Sequence, residues 1–268
     1  MKILYALTAL FASAAAQDIE IVGGNEAAVG KHLYVTSLRA FTDGRAACTG
    51  SLIAPNIVLT DAGCTVQTNS ALKYAVVGSH FNGGNKDGEL IAIKQQIVHP
   101  KYNDTSSAYN FAIYKLAKNS KFKPVPISFN PVGANVATVM RGFGDLNDQG
   151  NTSPVLREVK LTTVDDTKCR QLLAPSEVDN TMFCVGGQAN KGSCSGDAGG
   201  PLTIEINGQE TLVGTLSWGD GCGQVNKPAV YNRLNVARDF IQPYLTSNAG
   251  TPKKPSNANT VAPNNANN

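Results

Sequence analysis

Short apolar or alternating runs, broken every few residues by Gly, Pro or Asn, constrain this chain more than anything else in it. From Ile21 onward they include "HLYVTSL", "SLIAPNIVLT", "KYAVVGS", "LIAIKQQIV", "FAIYKL", "ATVMRGFG", "LREVKLTTV" and "TLVGTLSWG". Runs of this length and spacing read as strands of an all-β barrel or sandwich. In "TIEINGQETLVG" two such runs flank Asn207-Gly208, a pair that suits a type I′ hairpin because both turn positions need positive φ. One helix is predicted, late, around "NVARDFIQPYL". Val236, Phe240 and Ile241 recur there near helical spacing, Tyr244 and Leu245 follow, and Pro243 weakens the last turn.

The two ends read differently from the middle. Residues 1–16, "MKILYALTALFASAAA", carry Lys2, an apolar stretch from Ile3 to Phe11 and a small-residue end. That is the pattern of a secretory signal peptide, and its apolar part is too short to anchor in a membrane. Residues 246–268 are rich in Asn, Pro, Ala and Ser, and are expected to form a disordered tail because they bury too little to offset ordering. Removing residues 1–16 takes away one of 23 basic residues and none of the 20 acidic ones. The remaining balance gives no concentrated basic face, so neither nucleic acid nor membrane is expected as a partner.

Six cysteines remain after that segment: Cys48, Cys64, Cys169, Cys184, Cys194 and Cys222. An even number on an exported chain argues for three disulfides, although spacing alone leaves the pairing open. The three histidines, His32, His80 and His99, form no cluster, and no CxxC occurs, so no metal or cofactor is expected. Two sequons, at Asn103 and Asn151, are acceptors for N-glycans in a secreted protein or else bare polar loops.

Five motifs then occur in a fixed order: "IVGG" at 21–24, "VLTDAGC" at 58–64, "HPKYND…NFAIYKL" across 99–116, "GDAGGP" at 196–201 and "SWGDGC" at 217–222. With them, residues 21 to about 245 resemble a trypsin-like (chymotrypsin-fold) serine protease domain. The resemblance implies two six-stranded antiparallel β-barrels with a cleft between them and a C-terminal helix. It also implies the pairings Cys48–Cys64, Cys169–Cys184 and Cys194–Cys222.

Carried over by motif, the family's general base falls on Gly63, its orienting Asp on Asn110 and its nucleophile on Ala198. Hydroxyl attack on a carbonyl needs both the nucleophile and a base to take its proton. Loss of the whole triad costs on the order of a millionfold in turnover, so the resemblance implies an inactive protease fold. What is kept is scaffold. Ile21 matches the mature N-terminus, whose amine pairs in the family with the Asp at position 197. Glu20 is an unusual residue for the cut that would free it, with residues 17–20 as a short pro-segment. Gly192 stands at the pocket floor and Ala229 at its wall, while Gly196, Ser217, Trp218 and Gly219 keep the rest of its frame. Ser79 replaces an acidic residue of the family's calcium loop.

Among triad-less relatives, the chain resembles the glucanase inhibitor proteins secreted by oomycetes. That resemblance implies binding to a host plant endo-β-1,3-glucanase in the apoplast, with suppression of defence-eliciting glucan fragments. The rival readings are a non-inhibitory pseudoprotease paralogue, a decoy for protease inhibitors, and a hydrolase with displaced catalytic groups.

Overall fold

The computed structural model describes residues 22–245; the leader, Ile21 and the tail read from the sequence lie outside it. In chain order the elements are β1 (Asn25–Glu26), β2 (Val35–Arg39), β3 (Cys48–Ala54), β4 (Ile57–Thr60), α1 (Gly63–Val66), β5 (Tyr74–Val77), β6 (Glu89–Val98) and β7 (Ala112–Leu116). They continue with β8 (Ala137–Gly142), β9 (Arg157–Thr162), α2 (Asp166–Leu173), β10 (Met182–Gly186), β11 (Pro201–Ile206), β12 (Gln209–Trp218) and β13 (Pro228–Arg233). A 3₁₀ turn at Leu234–Ala237 leads into α3 (Arg238–Leu245).

The first six long strands close into an antiparallel barrel in the order β2-β3-β4-β7-β6-β5, with β2 pairing back onto β5. All residues of β2, β3 and β4 are buried, whereas β6 alternates towards solvent. The second sheet runs β1-β9-β8-β11-β12-β13-β10. Its six longer strands curl until the end of β9 meets β10, where the isolated bridge Thr163↔Val185 links the two edges. The second barrel is therefore a curled sheet closed at one point, with the two-residue β1 added at its edge.

Local chemistry accounts for several joints. Asn207 and Gly208 both adopt positive φ, at 52° and 72°, and join β11 to β12 with Ile206 opposite Gln209. The interior of the first barrel is continuous with Phe143, Leu156 and Leu212 from the second, so the two halves share one apolar seam. Ile241 of α3 is fully buried in that cluster, and Phe240 meets His99 at 4.7 Å between ring centroids. Pro243 sits inside α3 without ending it.

Helix α2 is an addition to the elements expected from the sequence. Its signals are the N-cap Asp165, whose carboxylate accepts from the amides of Thr167 (2.9 Å) and Lys168 (3.1 Å), and buried Cys169 and Leu173 four residues apart. Three disulfides join Cys48 to Cys64, Cys169 to Cys184 and Cys194 to Cys222. Each restricts the unfolded chain enough to contribute about 3 kcal/mol in the loop-entropy picture.

Candidate functional site

The cleft is assembled from the end of β4 and the start of β7 on one side, and the 191–200 turn and the end of β12 on the other. Asn110 ties the two halves together. Its Oδ1 accepts from the amides of Ala62 (2.8 Å) and Gly63 (3.0 Å), and its Nδ2 donates to Ser217 Oγ at 2.8 Å. The backbone carbonyl of Asn110 in turn accepts from Asn232 Nδ2 at 2.8 Å. Ala198 is fixed by its carbonyl, which accepts from Thr49 N at 2.9 Å beside the Cys48–Cys64 disulfide. Gly199 has φ +77° and a Cβ there would lie 2.1 Å from Thr60 Oγ1, so only glycine allows the turn to approach β4 this closely. Thus Gly63, Asn110 and Ala198 converge, with one methyl, one neutral amide and no imidazole among them.

A cavity of about 340 Å³ opens beside them. Gly196, Ala198, Ser217, Trp218 and Gly219 line it, joined by Gln67, Asp148 and Ser193, which the motifs do not single out. The amides of Gly196 and Ala198 make no hydrogen bond among the described residues. Gly192 and Ala229, expected as floor and wall, are not among the lining residues. Gly192 packs against Gly223 while its amide donates to the Val22 carbonyl (3.1 Å), and Ala229 belongs to the core of the second sheet.

Two buried carboxyls flank the cleft. Asp197 is fully buried; its Oδ1 accepts from Gly144 N (2.8 Å) and its Oδ2 from Cys194 N (3.0 Å). Burial pushes its carboxyl up to about 7, against the pull of those two amides. The expected partner, Ile21, lies outside the described residues, but its neighbour Val22 is buried. Asp61 is the second, and no motif or periodicity signals its burial. It is 2% exposed, accepts from Cys64 N (2.6 Å), and is likewise raised to about 7 by burial. A Cβ on Gly63 would stand 3.4 Å from its Oδ1.

The histidines are engaged elsewhere. His32 contacts Glu210 (3.0 Å) and Glu158 (3.3 Å), and His80 contacts Glu26 (2.7 Å). His99 stacks on Tyr109 at 4.9 Å, and burial followed by Lys101 lowers its pKa. Among the described residues, the one group of metal-ligating atoms is Asp148 with Cys194 and Cys222, whose sulfurs are already joined. Asn103 and Asn151 are both exposed.

The trypsin family profile matches residues 21–241. Similar proteins include glucanase inhibitor protein 1 of Phytophthora infestans, 36% identical over 82% of this chain and 86% of that protein. Glucanase inhibitor protein 3 of Phytophthora sojae (strain P6497) is 34% identical over 90% of this chain and 98% of that protein. Human serine protease 56 is 32% identical over 85% of this chain but only 39% of its own length. With the match spanning most of the chain, and with the cleft framed by two β-sheets, this protein belongs to the trypsin family.

Proposed function

We propose that this protein is a catalytically inactive member of its family and acts by binding a plant endo-β-1,3-glucanase. The observation that carries the first half is the cleft itself. At the three positions where the family's base, orienting acid and nucleophile fall, the chain has Gly63, Asn110 and Ala198. No histidine lines the cavity among the described residues, so the hydroxyls of Ser193, Ser195 and Ser217 have no imidazole positioned to activate them. The frame around the gap persists through hydrogen bonding and packing alone.

The second half rests on the relatives named as glucanase inhibitors, which share a third of their residues with this chain over most of their length. Glucanases of this kind work with a carboxylate pair in an open groove, and a rigid β-domain docked across it blocks substrate entry. Three disulfides suit an oxidising compartment, and the N-terminal segment reads as a secretion signal. Both support an encounter in the apoplast. Such docking buries about 1,600 Å² and relies on a few aromatic or Arg anchors.

Removal of residues 17–20 and insertion of the Ile21 amine beside Asp197 is part of the same proposal. Its support is the buried carboxyl of Asp197 and the seating of Val22 against Gly192 and Gly223. The test of the whole reading is direct: the purified protein should co-elute with a secreted plant endo-β-1,3-glucanase and stay unlabelled by a fluorophosphonate probe. Labelling at any serine, or two separate elution peaks at micromolar concentrations, overturns it.

A further inference from the structure

The chain has a single tryptophan, and Trp218 serves two cavities. One is the degenerate cleft. The other, of about 470 Å³, lies between the 105–107 loop and Ser176-Glu177, with the indole as its apolar wall. Its remaining lining is Thr105, Ser106, Ser107, Ser176 and Glu177: four hydroxyls and one carboxylate around one aromatic ring. Trp218 Nε1 is buried without a hydrogen-bond partner among the described residues. An indole surrounded by hydroxyls offers a pyranose what it needs, an apolar surface for its C–H face and polar groups for its rim.

The loop that carries three of those hydroxyls begins at the sequon Asn103-Asp104-Thr105. Asn103 Oδ1 accepts from the amides of Thr105 (2.9 Å) and Ser106 (3.1 Å), an Asx turn that leaves Nδ2 unpartnered among the described residues on an exposed side chain. The turn is held shut by Asn103 N donating to the Ala108 carbonyl at 3.1 Å. Thr105, which lines the cavity, follows Asn103 by two residues, at most about 7 Å of chain. The second sequon differs: at Asn151 the +2 residue, Ser153, is 1% exposed and its hydroxyl donates to the Val155 carbonyl.

We infer that Asn103 carries an N-glycan whose first sugars pack into this cavity against Trp218. The amide nitrogen that no protein group claims becomes the glycosidic nitrogen, joined to an N-acetylglucosamine delivered from a lipid-linked oligosaccharide donor, with loss of one amide proton and release of the lipid diphosphate. The glycan then covers the face of Trp218 that lines this cavity. Glycan packing of this kind is independent of which partner the protein binds.

The lone tryptophan makes the test specific. The full chain is secreted from a eukaryotic host alongside Asn103→Gln, Thr105→Ala, Thr105→Ser and Asn151→Gln variants. Glycopeptide mass spectrometry reads occupancy, and acrylamide quenching of tryptophan emission reads cover over Trp218. Asn103 should be occupied in the parent and in Thr105→Ser, which keeps the sequon. Loss of the glycan through Asn103→Gln or Thr105→Ala should raise quenching and red-shift emission, whereas Asn151→Gln should leave both unchanged. Thr105→Ala retains the backbone amides of the Asx turn, so it separates the glycan from the loop's fold. An unoccupied Asn103 overturns the inference, as does an occupied one whose removal leaves quenching unaltered or shifts it no more than Asn151→Gln does.

Discussion

Replacing Asp61 with Asn should flatten the pH dependence of stability, and the structure fixes both sign and size. In the unfolded chain this carboxyl titrates near 3.8; in the folded protein burial lifts it to about 7, with a single amide, Cys64 N, opposing. Between those values the folded state holds a proton that the unfolded state has released, so stability falls as pH rises through the window and the loss is complete above it. At 1.36 kcal/mol per pH unit the span corresponds to about 4 kcal/mol. The carboxamide of Asp61→Asn would keep an acceptor for Cys64 N and never ionise. Urea unfolding with disulfides intact, at about pH 4.5 and about pH 8, should show parent and variant within about 1 kcal/mol of each other in acid, with the variant more stable in base by up to about 4 kcal/mol. Equal pH slopes for parent and variant would refute the reasoning, because the buried carboxyl would then carry no proton linkage. Asp197 adds a slope of the same sign where its only partners are amides. A nearby Ile21 amine reverses it, so chains that begin at Gln17 and at Ile21 should differ in slope.

Three further outcomes follow from named contacts. The triple variant Gly63→His, Asn110→Asp, Ala198→Ser should recover at most weak peptidase activity on chromogenic peptides. Its new side chain at 63 would start from a Cβ 3.4 Å from both Asp61 Oδ1 and Gln67 Nε2, leaving the imidazole little room to settle; brisk turnover would show that it has the room. Arg39→Ala should cost about 3 kcal/mol in urea unfolding and expose residues 79–88 to limited proteolysis. The fully buried guanidinium of Arg39 donates to Ser37 Oγ (2.7 Å) and to the carbonyls of Gly84 (2.7 Å) and Phe81 (3.2 Å). Phe41 is 71% exposed; Phe41→Ala should leave stability within about 0.5 kcal/mol of the parent in urea unfolding, and a larger loss would show the ring to be packed.

How much of this was legible beforehand depends on range. The strand runs and the Asn207-Gly208 hairpin are local, set by side-chain alternation and two positive-φ residues, and they appear where the sequence places them. Helix α2 carries a legible cap in Asp165 but follows a strand so closely that its short apolar stripe does not stand out. The seam of the second sheet is decided by one pairing between Thr163 and Val185, distant in the chain, which no local pattern reveals. The same holds for the site. Motif order located Gly63, Asn110 and Ala198, yet the roles of Asp61 and Arg39 arise from burial by other strands and a loop. Gly192 and Ala229 came from motif position alone; in the fold one packs against Gly223 and the other joins the core of the second sheet.

The sharpest measurement is a titration of the pure protein into a secreted plant endo-β-1,3-glucanase, following laminarin hydrolysis and, in the same samples, the glucanase's mass. A protein that works by contact should abolish hydrolysis near one equivalent while leaving the glucanase chain whole. Undiminished hydrolysis at excess, or activity lost because the glucanase has been cut, would contradict that reading.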